Sequence, residues 1–287
     1  RNMVMRGFTT VRDLGGADRG LQQAVDEGAF VGPRMVICGK ALSQTGGHTD
    51  YRGPYDNKSA AWYDQSLGAM GRICDGVPDV QRAVREEIKN GAQFVKAMAD
   101  GGISSPSDPV GYLVFSVDEL KAMVEIAKGF GTYATGHLYT DEAIVRALDC
   151  GFECIEHGNL IADDTIARIA RDGIPVVPTN ITYDLLARKG AEFGLPPESV
   201  AKVSDVREAG LERLGRDRAG RAPRGRLGRA PSAWRGPRRR AGALHRGLGG
   251  PRRRPGRGPA RHGHPGWQRL DGRLGRSERD RRREHRG

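Results

Sequence analysis

The chain lacks any run of 18 apolar residues, which excludes a transmembrane helix and, with it, a membrane as partner. It has no C-x-x-C pair among its four cysteines, Cys38, Cys74, Cys150 and Cys154, so a zinc ribbon or a thioredoxin-type site has no support. Reduced thiols in a cytoplasmic protein are the expectation. No signal peptide is visible at the start, Arg1-Asn2-Met3. The sharpest absence is local. Residues 215–287 contain no Val, Ile, Phe, Tyr, Met, Cys, Asn, Thr or Lys. Such a segment cannot offset its ordering entropy by burial, and it is expected to stay disordered.

The 287 residues divide into two unlike parts. Residues 1–214 hold 23 Lys and Arg against 30 Asp and Glu, a net −7. Residues 215–287 hold 24 Arg against 5 acids, a net +19. The overall charge of +12 therefore belongs to the tail, and the whole chain is not a basic nucleic-acid-binding protein on its average charge. The tail itself allows two readings. An Arg/Gly-rich arm could bind nucleic-acid phosphates. Translation of a G+C-rich gene in a shifted frame also yields Arg, Gly, Ala and Pro while Lys, Asn, Ile, Phe and Tyr vanish. The abrupt switch at Leu214-Gly215, and only Trp234 and Trp267 between the arginines, favour the second reading. His262 and His264 are then incidental.

The body alternates strand and helix signals. Residues 7–13, 33–39, 93–98, 133–137, 152–157 and 174–179 are β-branched runs that end in turn residues. Helical spacing occupies 21–30, 78–90, 120–128, 141–149, 163–172 and 197–213, and Ser116 with Glu119 forms a capping-box pattern. Alternation at this spacing predicts a parallel sheet with helical crossovers, either a barrel or a doubly wound sheet. Lys96, His137 and His157 fall at or near the carboxyl ends of three consecutive strands, where an α/β barrel carries its chemistry. A strand lysine is usually a surface residue, and a strand histidine usually a satisfied core group. Lys96, however, shares a face with Phe94 and Met98, and a buried lysine needs a partner or a chemical modification. Two histidines on the next strands point to a metal site.

Six segments together resemble the amidohydrolase superfamily, in its imidazolonepropionase-related branch of prolidase-like, metal-dependent dipeptidases. They are GFTTVRDLGG (7–16), GPRMVICGKALSQTGGHTD (32–50), FVKAMADGG (94–102), YATGHLYTDEAI (133–144), ECIEHGN (153–159) and VVPTNITYDLL (176–186). The resemblance covers about residues 1–214. It implies a (β/α)₈ TIM-type barrel, here incomplete, with the first and eighth strands missing. It implies a binuclear site for divalent metal, Zn²⁺ being the expected ion. The ligands would be an H-x-H pair on the first strand, a carboxylated lysine on the fourth, histidines on the fifth and sixth, and an aspartate on the eighth. Lys96, His137 and His157 match three of these positions. The eighth-strand aspartate, the expected catalytic group, has no match. His48 and Tyr139 match places where the dipeptidases hold the substrate's α-carboxylate. Arg12 and Asp13 are expected to be structural. The implied activity is hydrolysis of amide bonds in dipeptides or N-acyl amino acids, impaired in the chain as written; a second copy of the chain is an open partner.

These readings make the coding DNA decisive. A one- or two-base correction near codon 214 is expected to restore an aspartate-bearing eighth strand. Finding no such strand in either alternative frame would return the tail to the nucleic-acid reading.

Overall fold

The computed structural model describes residues 1–219, apart from Pro54, residues 65–68, residues 106–107 and Pro196. The expectation of a disordered tail therefore falls almost wholly outside the described residues. In chain order the elements are α1 (Asn2–Met5), β1 (Thr10–Asp13), α2 (Arg19–Asp26), β2 (Arg34–Ile37), β3 (Ala41–Ser43), α3 (Ala60–Asp64), β4 (Gly71–Ile73), α4 (Val77–Lys89) and β5 (Val95–Met98). They continue with α5 (Val117–Gly129), β6 (Ala134–Thr140), α6 (Asp141–Cys150), β7 (Cys154–Leu160), α7 (Asp163–Asp172), β8 (Val176–Val177), α8 (Asn180–Lys189) and α9 (Pro197–Ala219).

All strand pairs are parallel. β1 pairs with β2, and the order in the larger sheet is β4-β3-β5-β6-β7-β8. The two sheets form one wall. β2 and β3 are halves of a single strand broken at Gly39, whose φ is +69°. The Gln93 amide donates to the Ile37 carbonyl at 2.8 Å, which draws β2 alongside the approach to β5. A side chain at Gly39 would meet the Glu87 carboxylate, which accepts from the Lys40 amide at 3.1 Å. The break therefore needs glycine for both its conformation and its close contact. The result is a partial barrel of parallel strands with the helices outside.

Why the helices form where they do is local. Ser116 and Glu119 complete the capping box that opens α5. Thr140 caps α6, and Gly151 ends it in the left-handed region. The outward strand residues Val95, Ala97, Ala134, Leu138 and Ile155 pack with Val84, Leu120, Met123, Ile144 and Ala147 of the helices as the main core. Five elements were not foreseen: the short helices α1 and α3, the short strands β3 and β4, and α8, which begins beyond Thr179. α9 runs through the composition boundary at 214 to Ala219.

The inner face is different. Below the strand ends, Cys38, Phe94, Tyr133 and Cys154 form a small apolar floor with Leu14 and Val36. All four cysteines are buried free thiols. Across this floor Arg12 of β1 reaches Glu156 of β7. Nη2 donates to Oε1 at 2.6 Å, Nη1 donates to the Tyr133 hydroxyl at 3.2 Å, and the guanidinium lies over the Phe94 ring. Asp13 accepts from the Gly15 and Ala17 amides and shapes the turn after β1. Arg12 and Asp13 thus act as structural residues. Among the described residues no helix is long and apolar enough to cross a membrane.

Glu156 is fully buried, so removing Arg12 strands a charge in the interior. Arg12→Met is expected to lower unfolding free energy by about 3–5 kcal/mol in urea titrations. Arg12→Met/Glu156→Met should regain much of that. A single-variant loss below about 0.5 kcal/mol would show that the pair does not brace the wall.

Candidate active site

The parallel register sets the site. Lys96 of β5 aligns with Thr135 of β6, and Met98 with His137. On β6, Thr135, His137 and Tyr139 point inward while Ala134 and Leu138 point out, as the two-residue period requires. On β7, Cys154 and Glu156 point inward, so His157 should point out with Ile155. It does not. His157 has φ +77°, Gly158 follows at +70°, and the register between β6 and β7 shifts at this level. This irregularity turns the His157 ring into the barrel, where its Nε2 lies 2.8 Å from His137 Nδ1. A non-glycine residue in that conformation stores strain, and such strain clusters at functional sites.

The surrounding groups hold both rings. The Thr179 hydroxyl lies 2.7 Å from His157 Nδ1, and the Tyr183 hydroxyl lies 2.7 Å from the same nitrogen. Thr179 also has positive φ, +48°. Tyr139 stacks on His157 with centroids 4.9 Å apart, and its hydroxyl meets that of Tyr183 at 2.9 Å. His137 Nε2 lies 3.2 Å from the Gly101 carbonyl oxygen. His48 arrives from the loop after β3 and stacks on His137 at 4.3 Å. That approach needs Gly102, because a Cβ there would sit 1.6 Å from His48 Nδ1. Asp100 fixes the rim: its carboxylate accepts from the Tyr139 and Thr140 amides, at 2.9 and 2.8 Å, and from the Thr140 hydroxyl.

Lys96 lies beneath the histidines. It is 3% exposed, and its Nζ has no hydrogen-bond partner among the described residues. Burial pushes its ammonium down to about 8, only partly opposed by the carboxylate of Glu156. Burial, with His48, His157 and Lys96 nearby, holds His137 well below the usual imidazole range; burial and Lys96 do the same for His157. Both rings are neutral near pH 7. Burial, followed by Tyr183, raises the Tyr139 hydroxyl well above its usual value.

All five residues expected from the sequence, Lys96, His137, His157, His48 and Tyr139, therefore meet at one end of the wall. Residues 1–217 match the amidohydrolase family. The chain belongs to that family. Ochratoxinase of Aspergillus niger is 32% identical over 222 residues, 73% of this chain and 45% of that protein. The fold resembles a prolidase crystallised with N-methylphosphonate-L-proline, at 50% identity and a TM-score of 0.72, over 74% of this chain and 52% of that one. It also resembles a Xaa-Pro dipeptidase with bound methionine, at 28% identity and a TM-score of 0.63, over 74% and 52%. This amidohydrolase chain spans about half the length of the relatives it matches, and its wall is part of their TIM barrel.

Four residues escaped the sequence reading. Asp100 was taken only as a turn residue, although it is fully buried. Thr179 and Tyr183 lie in the segment VVPTNITYDLL but carry no ligand-like pattern. Asp108 sits beside His48, its Oδ2 3.7 Å from His48 Nδ1. Among the described residues no three His, Cys, Asp or Glu side chains gather as a ligand set; the donors here are two imidazoles and a lysine.

The buried amine has a measurable cost. Below about pH 8 Lys96 is protonated folded and unfolded, so the whole penalty of burying its charge is present. Between about 8 and 10.5 the folded chain has released the proton and the unfolded chain has not, so the penalty fades as pH rises. In chelator and CO₂-free buffer, Lys96→Met should be the more stable by about 3 kcal/mol at pH 7, with the gain vanishing near pH 10.5. Equal urea midpoints at pH 7 would contradict this account.

Proposed function

We propose that this chain is barrel wall and half-site of a metal-dependent amidohydrolase that hydrolyses the amide bond of dipeptides or N-acyl amino acids. One observation carries the reading: a buried lysine without a partner lies beneath two neutral, inward-turned imidazoles. Members of the family generally use a divalent metal, and the residues present fit one. Neutral histidines offer nitrogen lone pairs, a donor type that suits Zn²⁺. The orphaned Lys96 Nζ has a use once modified. Its free amine adds to CO₂, forming an N–C bond and releasing a proton, and the carbamate offers two anionic oxygens. Such a group can span two cations about 3.5–4 Å apart.

A bound cation would polarise the scissile carbonyl and acidify water. The remaining work falls to side chains. Thr179 and Tyr183 occupy Nδ1 of His157, which fixes the ring with Nε2 turned inward on His137 Nδ1, a contact that a bound cation would replace. Asp100 holds the backbone of Tyr139, and so its aromatic wall, against His157. His48 and Tyr139 line the place where the substrate would lie. The similarity to a prolidase, a Xaa-Pro dipeptidase and ochratoxinase supports a small amide substrate. The acid–base aspartate expected from the resemblance is not among these side chains, and loss of such a group costs about 10²–10⁴-fold in rate.

Metal retention tests the reading without relying on turnover. After dialysis against Zn²⁺ and bicarbonate, the chain should keep zinc, and Lys96→Met and His137→Ala should bind it at least about tenfold more weakly. A wild-type chain that keeps none, or variants that keep as much, would overturn the proposal. Proline release from Xaa-Pro dipeptides is the accompanying assay. A chain that also carries the H-x-H strand and the aspartate should reach the usual enzymatic range, ~1–10³ s⁻¹.

A further inference from the structure

The contact between the two imidazoles decides where their protons sit. His157 Nε2 and His137 Nδ1 are 2.8 Å apart, so one nitrogen donates and the other offers a lone pair. His137 settles which. Its Nε2 lies 3.2 Å from the Gly101 carbonyl oxygen, an atom that can only accept. Neutral His137 therefore keeps its proton on Nε2, and its Nδ1 is bare. The proton between the rings belongs to His157 Nε2. His157 is neutral as well, so its Nδ1 is the bare nitrogen and accepts from a hydroxyl.

That tautomer does not suit a cation ligand. His137 Nδ1 and His157 Nε2 converge on one place, and a cation there needs a lone pair from each. His137 offers one already. His157 offers one only after its proton has moved to Nδ1.

The groups around Nδ1 permit that change. The Thr179 and Tyr183 hydroxyls each lie 2.7 Å from it. A hydroxyl can donate or accept, unlike the carbonyl beside His137. When Nδ1 is bare, the Tyr183 hydroxyl donates to it, and the Thr179 hydroxyl donates to Tyr183 at 3.2 Å. When Nδ1 is protonated, it donates to the Thr179 oxygen, and the Tyr183 hydroxyl turns to that of Tyr139, 2.9 Å away. The position of Thr179 points the same way. It stands at the N-cap of α8, where a threonine normally binds a helix amide, yet its side chain makes no cap bond. Its hydroxyl goes to His157 instead, from a backbone strained at φ +48°.

We infer that the Thr179–Tyr183 hydroxyl pair is a two-way partner that lets His157 change tautomer, Nε2–H without a cation and Nδ1–H with one bound, which makes both of them positioning residues. One proton leaves Nε2 and one arrives at Nδ1, and the ring stays neutral. His137 does not change, because its carbonyl partner accepts only. This role rests on the proposed metal-dependent function.

Nitrogen-15 NMR of the histidine-labelled chain tests it, since protonated and bare ring nitrogens resonate far apart. In chelator, His137 and His157 should both show Nε2–H. With Zn²⁺ and bicarbonate, His157 should show Nδ1–H while His137 keeps Nε2–H. Thr179→Val/Tyr183→Phe, which removes both hydroxyls, should bind Zn²⁺ at least about tenfold more weakly than the wild type. Thr179→Ser/Tyr183→Phe, which keeps one, should regain most of that affinity. His157 already carrying Nδ1–H in chelator, or keeping Nε2–H with Zn²⁺ bound, would overturn the inference on the wild-type chain alone. So would wild-type affinity in the variant without hydroxyls. Each of these leaves the metal-dependent reading standing, whereas a wild-type chain that binds no Zn²⁺ would bring down both.

Discussion

Glu156 lies wholly inside the wall, and one of its oxygens accepts from Arg12 on β1 and Thr135 on β6. No other interaction described ties so many parts of the molecule. β1 and β7 stand far apart in strand order, and the Arg12–Glu156 pair joins them across the barrel interior. The same carboxylate is the main favourable charge felt by Lys96. It therefore does two things at once: it links distant strands across the interior, and it makes a buried ammonium tolerable. A carboxylate in that place must be paired, because the interior offers no water to solvate it. The pairing in turn dictates an arginine on the first described strand and hydroxyls on its neighbours.

Above that floor, the site is assembled by departures from regular structure. A regular β7 would turn His157 outward among the helices. The positive φ at His157 and Gly158 reverses it, and Thr179, itself strained, meets the ring. The cost of two residues in the left-handed region is met by the contacts they make possible: two hydroxyls on Nδ1, and Tyr139 stacked on the face. The rim follows the same logic. Gly102 lacks a side chain so that His48 can lie against His137. The pocket is thus organised around imidazoles kept neutral by burial, a state suited to holding a cation.

Much of the architecture was legible beforehand. The capping box at Ser116 and Glu119 marked the start of α5 through chemistry that acts within a few residues. Lys96 stood out because a lysine between Phe94 and Met98 contradicts an apolar inner face. The broken strand at Gly39 was not legible, since the Glu87 carboxylate that crowds it comes from α4, far along the chain. Nor was α8, because its N-cap, Thr179, makes no side-chain cap and sits in a conformation that local preference disfavours.

The sequence by itself determined the alternation of strands and helices, the break in composition at residue 214, and which side chains could bind a cation. Those properties follow from periodicity, local capping and residue chemistry, all short-range along the chain. Only the tertiary structure decided that His157 faces inward, that Thr179 and Tyr183 hold it, and that Asp108 is left without a partner beside His48. Each of these depends on a backbone angle or on groups tens of residues apart, and neither is encoded in any local pattern.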